Sequence, residues 1–465
     1  MKTALVVPDG VGIRNFILGG AINRLREAGP ISVFHGVPEE SMALYRGPEG
    51  VTFHSMGDYR EGASAIFLRY CLAYAHMRFV DTMAMRYNRA TLPQGSWRMR
   101  TMHRTVRQVG SLLGRRSGVL WLQSLHTQAA ERERKVKEAE AWLRRERPDV
   151  LLCSHQRPPI IIPIILAAKQ LGIPTACFIF SWDNLTSKGR IAAPFDYYLV
   201  WSELMRTELL RYYPDISENH VRVVGTPQFD PYVDSETLWD REEFFRRVGA
   251  DPGRPLICYS GGDRGTCPED PEHLAVLMEG VESGRIAGRP QVIVRPSPVD
   301  DPMRYDNVRR RFPDMLFAQP EWVHPSSGHW AGVLPTEADV QFLANLTQHC
   351  DLNVNMASTM TLDFAIHDKP VVNLAFDVAS PPPHGTPLWD YFYRFEHYRP
   401  VVELGAARFA RSREELWDNV SSYLEDPSLD REGRQKLVEL EAGPQIGGAL
   451  ARITETVVSI ANSTR

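Results

Sequence analysis

The sequence has few cysteines for its length and none in a C-x-x-C pair. The six are Cys71, Cys153, Cys177, Cys258, Cys267 and Cys350, and two of them, Cys177 and Cys258, sit inside apolar runs that read as buried strands. That usage excludes a disulfide framework and fits a reducing compartment. Long hydrophobic runs are also lacking. The N-terminus offers four apolar residues before Pro8, and the longest apolar stretch, Ile160 to Ala168, is interrupted by Pro163. No secretory signal and no membrane-spanning helix is expected, which places the chain in the cytoplasm or peripherally at the inner membrane face. Histidines such as His155, His349 and His367 show no ligand spacing, and no D-x-D triplet lies on a suitable strand end, so no metal is expected. There is no short-period repeat, and no low-complexity tract beyond Pro381 to Pro383. Charge of neither sign dominates: 53 basic against 57 acidic residues leave a net charge of -4, which gives a nucleic-acid partner no basic domain to bind.

What is present is an alternation of strands and helices in a chain of 465 residues, long enough for two domains. The start reads strand (Thr3 to Val7), loop (P-D-G-V-G-I-R-N-F) and helix (Phe16 to Glu27), then a second strand at Ile31. From about residue 59 to 147 the pattern is helical, an insertion. Within it, Thr82 to Ala130 holds eight arginines and no acidic residue, interleaved with Trp97, Met99, Met102 and Trp121. Two readings fit that segment: a surface for anionic lipid headgroups, or arginine-rich helices balanced by acidic groups of the second domain. The alternation resumes with strands at Asp149 to Cys153, Thr175 to Phe180, Tyr197 to Trp201 and Val221 to Val224, closing a first domain of residues 1–230. A second series over residues 254–425 has strands at Leu256, Val292 to Arg295, Met315 to Ala318, Leu352 to Asn355 and Val371 to Ala375, and residues 426–465 read as C-terminal helices. The class is therefore α/β, with two Rossmann-like domains and a cleft between them.

Chemistry is expected at strand ends. In N-M-A-S-T-M-T-L-D-F a strand ends at Asn355, and Ser358 and Thr359 open a helix. A helix start with two hydroxyls suits a diphosphate, and Asp363 could accept hydrogen bonds from sugar or ribose hydroxyls. The alternative is that Ser358 and Thr359 only cap the helix while Asp363 faces solvent. Gly261 and Gly262 in S-G-G-D form either a backbone nest for the same phosphates or an ordinary turn. Gly10, Gly12, Arg14 and Asn15 in the first loop, with Asn184 further on, are candidates for an acceptor or phosphate loop, Arg14 being equally a surface residue.

The segment S-T-M-T-L-D-F followed by K-P-V-V resembles the donor-site signature of GT-B transferases related to the CDP-glycerol glycerophosphotransferases, matching at Ser358, Thr359, Asp363, Phe364, Lys369 and Pro370. V-I-V-R-P-S-P is similar to that group's R-x-H-P element, with Ser297 where the histidine usually stands, so the resemblance leaves donor phosphate to Arg295 and Ser297. S-W-D-N-L-T-S-K-G resembles the group's T-W-H-G-T-P-L-K loop and places Asp183 at the catalytic-base position, an exchange shared with surface-carbohydrate glycosyltransferases. The resemblance covers residues 149–425 through three short motifs. It implies a metal-independent GT-B glycosyltransferase that needs no cofactor beyond its nucleotide-sugar substrate. The sugar would pass to a hydroxyl on a carbohydrate or lipid-linked acceptor, in surface polysaccharide or glycolipid assembly. A polyol-phosphate transferase using CDP-glycerol is the first alternative, disfavoured by both missing histidines. A nucleotide-sugar 2-epimerase is the second. It shares the architecture but would want further acidic residues, and a histidine-arginine pair where S-G-G-D stands.

Overall fold

The computed structural model describes residues 1–42, 45, 49–91, 97–323, 333–379, 387–443 and 445–463, without the Arg98 side chain. Part of the arginine-rich segment (92–96) and the Pro381 to Pro383 tract lie outside the described residues.

Seven parallel strands form the first sheet: β1 (Thr3–Val7), β2 (Ile31–His35), β3 (Val51–Ser55), β4 (Val150–Cys153), β5 (Thr175–Phe178), β6 (Tyr197–Val200) and β7 (Val221–Val223). Their order is β3-β2-β1-β4-β5-β6-β7, with Thr3 level with both Ile31 and Val150. The second sheet is built from β8 (Leu256–Ser260), β9 (Gln291–Arg295), β10 (Leu316–Phe317), β13 (Leu352–Asn355), β14 (Val371–Leu374) and β15 (Arg408–Ala410), in the order β10-β9-β8-β13-β14-β15. A small antiparallel pair, β11 (Trp322–Val323) and β12 (Leu334–Pro335), stands beside it. Strands of a parallel sheet are covered on both faces, which is why β1, β2, β4, β5 and β8 read as unbroken apolar or small-residue runs and are buried throughout. The two sheets are the two Rossmann-like domains of a GT-B fold.

Some elements differ from expectation. The strand read at Met315 to Ala318 shrinks to two residues, and edge strands β3 and β15 carry no sequence signal because their burial is only partial. The helix expected over Phe16 to Glu27 begins earlier and is broken. A short turn at Gly10–Gly12 runs into a π-helix over Ile13–Leu18, and Gly20, at φ +84°, separates that from the helix Ala21–Glu27. π-helical turns are rare and concentrate at functional sites.

Among the described residues the insertion holds five helices: Ala63–Val80, Met83–Ala90, Trp97–Leu112, Arg116–Glu131 and Arg134–Glu146. The first packs against the third and fourth, and Gly110 permits it: a Cβ there would lie 2.6 Å from Tyr74 Cβ. Its arginines are partly neutralised from within, because Asp81 takes Arg78, Arg86 and Arg89. The second lobe contributes Glu396, which accepts from the N–H groups of Met83 (2.7 Å) and Ala84 (3.5 Å) and so caps a helix rather than pairing an arginine.

The C-terminal helices divide between the lobes. Arg431–Ala442 packs on the second, whereas Ala449–Ser463 returns to the first, its N-terminus capped by Asp230 at 2.9 Å and 3.0 Å. Leu450, Ile453, Val457 and Ile460 are buried there, each contributing about 1.5–3 kcal/mol and tying the lobes together. Among the described residues no helix is long and apolar enough to cross a membrane.

Candidate functional site

In an open parallel sheet the crevice forms at the carboxyl ends of the two strands where the order reverses. Here those pairs are β1/β4 and β8/β13. The loops leaving these four strands hold most of the residues singled out above.

After β1, Asp9 is wholly buried. Its Oδ1 accepts from the Gly12 N–H at 3.1 Å, and its Oδ2 lies 2.5 Å from Nδ1 of His155, which follows β4. Gly12 allows the two loops to touch, since a Cβ there would sit 2.5 Å from Ser154 Oγ. Gly10 meets the second lobe: a Cβ would fall 2.1 Å from the Val333 carbonyl oxygen. The His155 ring packs on Phe180 at 4.4 Å, and among the described residues neither its Nε2 nor Ser154 Oγ has a hydrogen-bond partner although both are buried. Gln156 accepts from the Phe180 N–H (3.1 Å) and donates to Asn184 Oδ1 (2.9 Å), fastening the S-W-D-N loop to the same edge. Arg157 is exposed and has no carboxylate in ion-pair range among the described residues. Crowding by protein lowers its pKa, with Asp183, Tyr213 and Asp9 opposing. Sequence reasoning passed over Asp9 and Arg157 and noted of His155 only that it lacks ligand spacing. The available signal was position: P-D-G directly follows β1 and S-H-Q-R directly follows β4.

Asp183 starts the short helix Asn184–Ser187. One oxygen accepts from Asn184 Nδ2 at 3.0 Å, the other from Ser187 Oγ at 2.8 Å, and Lys188 Nζ stands 3.7 Å away. Burial alone would raise its pKa. Lys188, then His397 and the Ser181 and Ser187 hydroxyls outweigh burial and hold the carboxyl well below the usual range. A carboxylate so stabilised is a weak proton acceptor. The loop also touches the second lobe, Trp182 against His397 (5.7 Å) and Tyr398 (6.0 Å). Arg14 donates through Nε to Asn15 Oδ1 at 3.0 Å, and its charge reaches Asp363 across the cleft.

On the second lobe the groups are neutral and mutually bonded. Asn353 Nδ2 donates to the Cys258 carbonyl (3.0 Å) and Ser260 Oγ (2.7 Å). Asn355 donates to Asn353 Oδ1 (2.7 Å) and Thr361 Oγ1 (3.1 Å) and accepts from the Ser358 N–H (3.0 Å). Thr361 meets Tyr398 OH at 2.8 Å, and Tyr398 donates to Asn373 at 2.6 Å. This ladder shapes the turn in which Ala357 adopts φ +45° and Ser358 Oγ accepts from the Met360 N–H at 3.3 Å. Thr359 makes no side-chain cap.

Three expectations for this lobe need correcting. The S-G-G-D turn is no open nest: the Gly261 N–H donates to the Arg295 carbonyl (2.9 Å) and the Gly262 N–H to Asp270 (3.1 Å). Arg295 is committed to Asp339 at 2.6 Å, a carboxylate that also accepts from the Glu321 N–H (2.9 Å) and from Trp322 Nε1 (2.7 Å), so the charge of Arg295 is already met. Ser297 is half-buried beside it, its carbonyl accepting from Asp300. Asp363 faces neither solvent nor an open subsite. It accepts from Tyr232 OH of the first lobe at 2.5 Å, and burial raises its pKa to about 6 against the pull of Tyr232 and Arg14.

The sequence matches no protein-family model and no curated protein. Solved structures are similar in fold. UDP-GlcNAc 2-epimerase from Neisseria meningitidis, bound to UDP-GlcNAc, superposes with a TM-score of 0.52 at 12% identity over 99% of this chain and 100% of that one. MnaA of S. aureus with UDP gives 0.53 at 11% identity over 99% and 97%. A further UDP-N-acetylglucosamine 2-epimerase gives 0.55 at 12% identity over 100% and 96%. At these identities the likeness is one of architecture, and it covers both lobes.

Proposed function

We propose that this chain acts on a nucleotide-diphosphate-linked sugar held between the β1/β4 and β8/β13 edges. The observation that carries the reading is the division of labour across the cleft. Groups able to move protons or meet phosphate charge (Asp9, His155, Arg157) lie on the first lobe, opposite a neutral, preorganised hydroxyl and amide surface on the second. Epimerisation at the sugar's C2 is the first reaction, favoured by fold neighbours whose names state that activity. Transfer of the sugar to a hydroxyl acceptor is the second, favoured by the S-T-M-T-L-D-F/K-P and S-W-D-N motifs; a carbohydrate or lipid-linked acceptor and a membrane surface belong to that reading.

Incubation with UDP-, GDP-, CDP- and dTDP-linked sugars in D₂O, without acceptor, tests the proposal and separates the two reactions. Epimerisation yields the C2 epimer carrying deuterium at C2. Transfer leaves the donor intact until an acceptor is supplied. A donor that binds the folded protein also raises its apparent stability, and Arg157→Ala should weaken that shift about tenfold in donor concentration if the guanidinium meets phosphate. If no nucleotide sugar stabilises the wild-type protein, the reading fails.

A further inference from the structure

We infer that His155, oriented by Asp9, is the group that takes up the substrate's proton in this cleft. The inference rests on the function proposed above and adds to it a residue pair that no sequence motif marks.

A histidine serves as a base when one ring nitrogen is held by a partner that fixes the tautomer and the other presents its lone pair. Asp9 and His155 meet the first condition. Asp9 is wholly buried, and with its carboxyl ionised the 2.5 Å contact places the proton on His155 Nδ1. The carboxylate cannot rotate away, because its other oxygen holds the Gly12 N–H. For the second, the Nε2 lone pair is uncommitted: His155 is 4% exposed, and Nε2 has no partner among the described residues. A buried ring nitrogen left without a hydrogen bond costs stability unless something else engages it. The pair sits at the β1/β4 reversal, and the loop that carries Asp9 meets the second lobe where Gly10 approaches Val333. Arg157, two residues on, supplies an unpaired positive charge beside it.

In the step this geometry allows, an N–H bond forms at Nε2 as an O–H or C–H bond of the substrate breaks. The bonding pair forms the new bond to C1, a C1=C2 double bond where a C2–H bond is broken and an O–C1 bond where an acceptor O–H is broken, as the C1–O bond to the diphosphate breaks. That bond's own pair departs on the diphosphate. The imidazolium so formed is met by the Asp9 carboxylate. Asp9 touches no substrate; it is a positioning residue.

Turnover and binding are measured separately on His155→Gln, His155→Asn and Asp9→Asn, each checked for folding by circular dichroism. Both His155 variants should lose on the order of 10²- to 10⁴-fold in kcat and bind the nucleotide sugar as the wild type does. Asp9→Asn makes a distinct prediction. Its amide oxygen is kept by the Gly12 N–H, so its NH₂ group faces His155 Nδ1 and drives the ring proton to Nε2. Nitrogen NMR of the histidine rings should therefore show an Nδ1–H tautomer for His155 in the wild type and an Nε2–H tautomer in Asp9→Asn, with kcat down on the order of 10²-fold. A folded His155 variant that keeps more than a tenth of wild-type kcat overturns the assignment and leaves the proposed function standing. A wild-type Nε2–H tautomer overturns it independently of any activity. Failure of every nucleotide sugar to bind the wild type removes the proposed function, and the pair's role with it.

Discussion

At the carboxyl edge of the first sheet, the groups beside the strand reversal are ionisable: Asp9, His155, Arg157 and Asp183. At the same edge of the second sheet they are neutral: Ser260, Asn353, Asn355, Thr361, Asn373 and Tyr398. The architecture on both sides is a parallel sheet, so the fold does not impose the difference. A buried neutral network whose members bond one another is rigid and insensitive to pH, which suits a surface that only positions a ligand. A buried ionisable pair with an orphaned nitrogen is costly to keep, a cost that the proposed proton uptake would offset; the neutral ladder has one such atom too, Asn373 Nδ2, without a partner among the described residues.

The largest test of that contrast is Asn355→Ala. It strips partners from the Ser358 N–H, from Thr361 and from Asn353 Oδ1, all buried or half-buried. At about 1–3 kcal/mol for each group left unsatisfied, stability should fall by roughly 4 kcal/mol in urea denaturation. Because nothing in the ladder titrates near neutrality, the loss should be equal at pH 6 and pH 8. A loss that changes with pH would break the comparison.

Asp363 sharpens it from the other side, as an ionisable group at the second edge. Its folded pKa of about 6 lies above the ordinary aspartate value of 3.8, chiefly through burial. The folded chain therefore holds this proton more tightly than the unfolded one. The resulting stabilisation is complete below about pH 4 and is lost as pH rises towards 6. Asp363→Asn should flatten the stability profile between pH 4 and 6 by up to about 3 kcal/mol, read by thermal melts across that range. An unchanged profile would show that the Tyr232 contact keeps the carboxylate charged.

The smallest effect belongs to the insertion. With Arg78, Arg86 and Arg89 drawn to Asp81, the described arginines of the segment without a carboxylate partner are Arg100, Arg104, Arg107, Arg115 and Arg116, on helices that also expose Trp97 (69% exposed), Leu112 (82%) and Trp121 (55%). At about 1 kcal/mol per arginine the association should be weak. Sedimentation with anionic vesicles at low salt, lost as salt rises and absent with neutral vesicles, is the expected outcome. No sedimentation at low salt would assign these helices to structure alone.

The strands β1, β4, β5 and β8 were legible because a strand covered on both faces is mostly apolar, whereas β13 was legible despite its two buried asparagines. Edge strands β3 and β15 were not read, although β7, an edge strand as partly buried, was. The loops bearing Ser358 and Asp183 were legible through their motifs, but their side-chain commitments were not. Arg295 reads as a phosphate ligand until Asp339, 44 residues away in sequence, is seen to hold it. Asp363 reads as a sugar contact until Tyr232, 131 residues away, is seen to donate to it.

The sequence by itself determined the two-lobed α/β class and the run of helices ahead of β4, because local periodicity decides both. Only the tertiary structure decided which polar residues are spent and which are available. Asp9 and His155 stand 146 residues apart, and a pair of that separation exists only because β1 and β4 lie side by side where the strand order reverses.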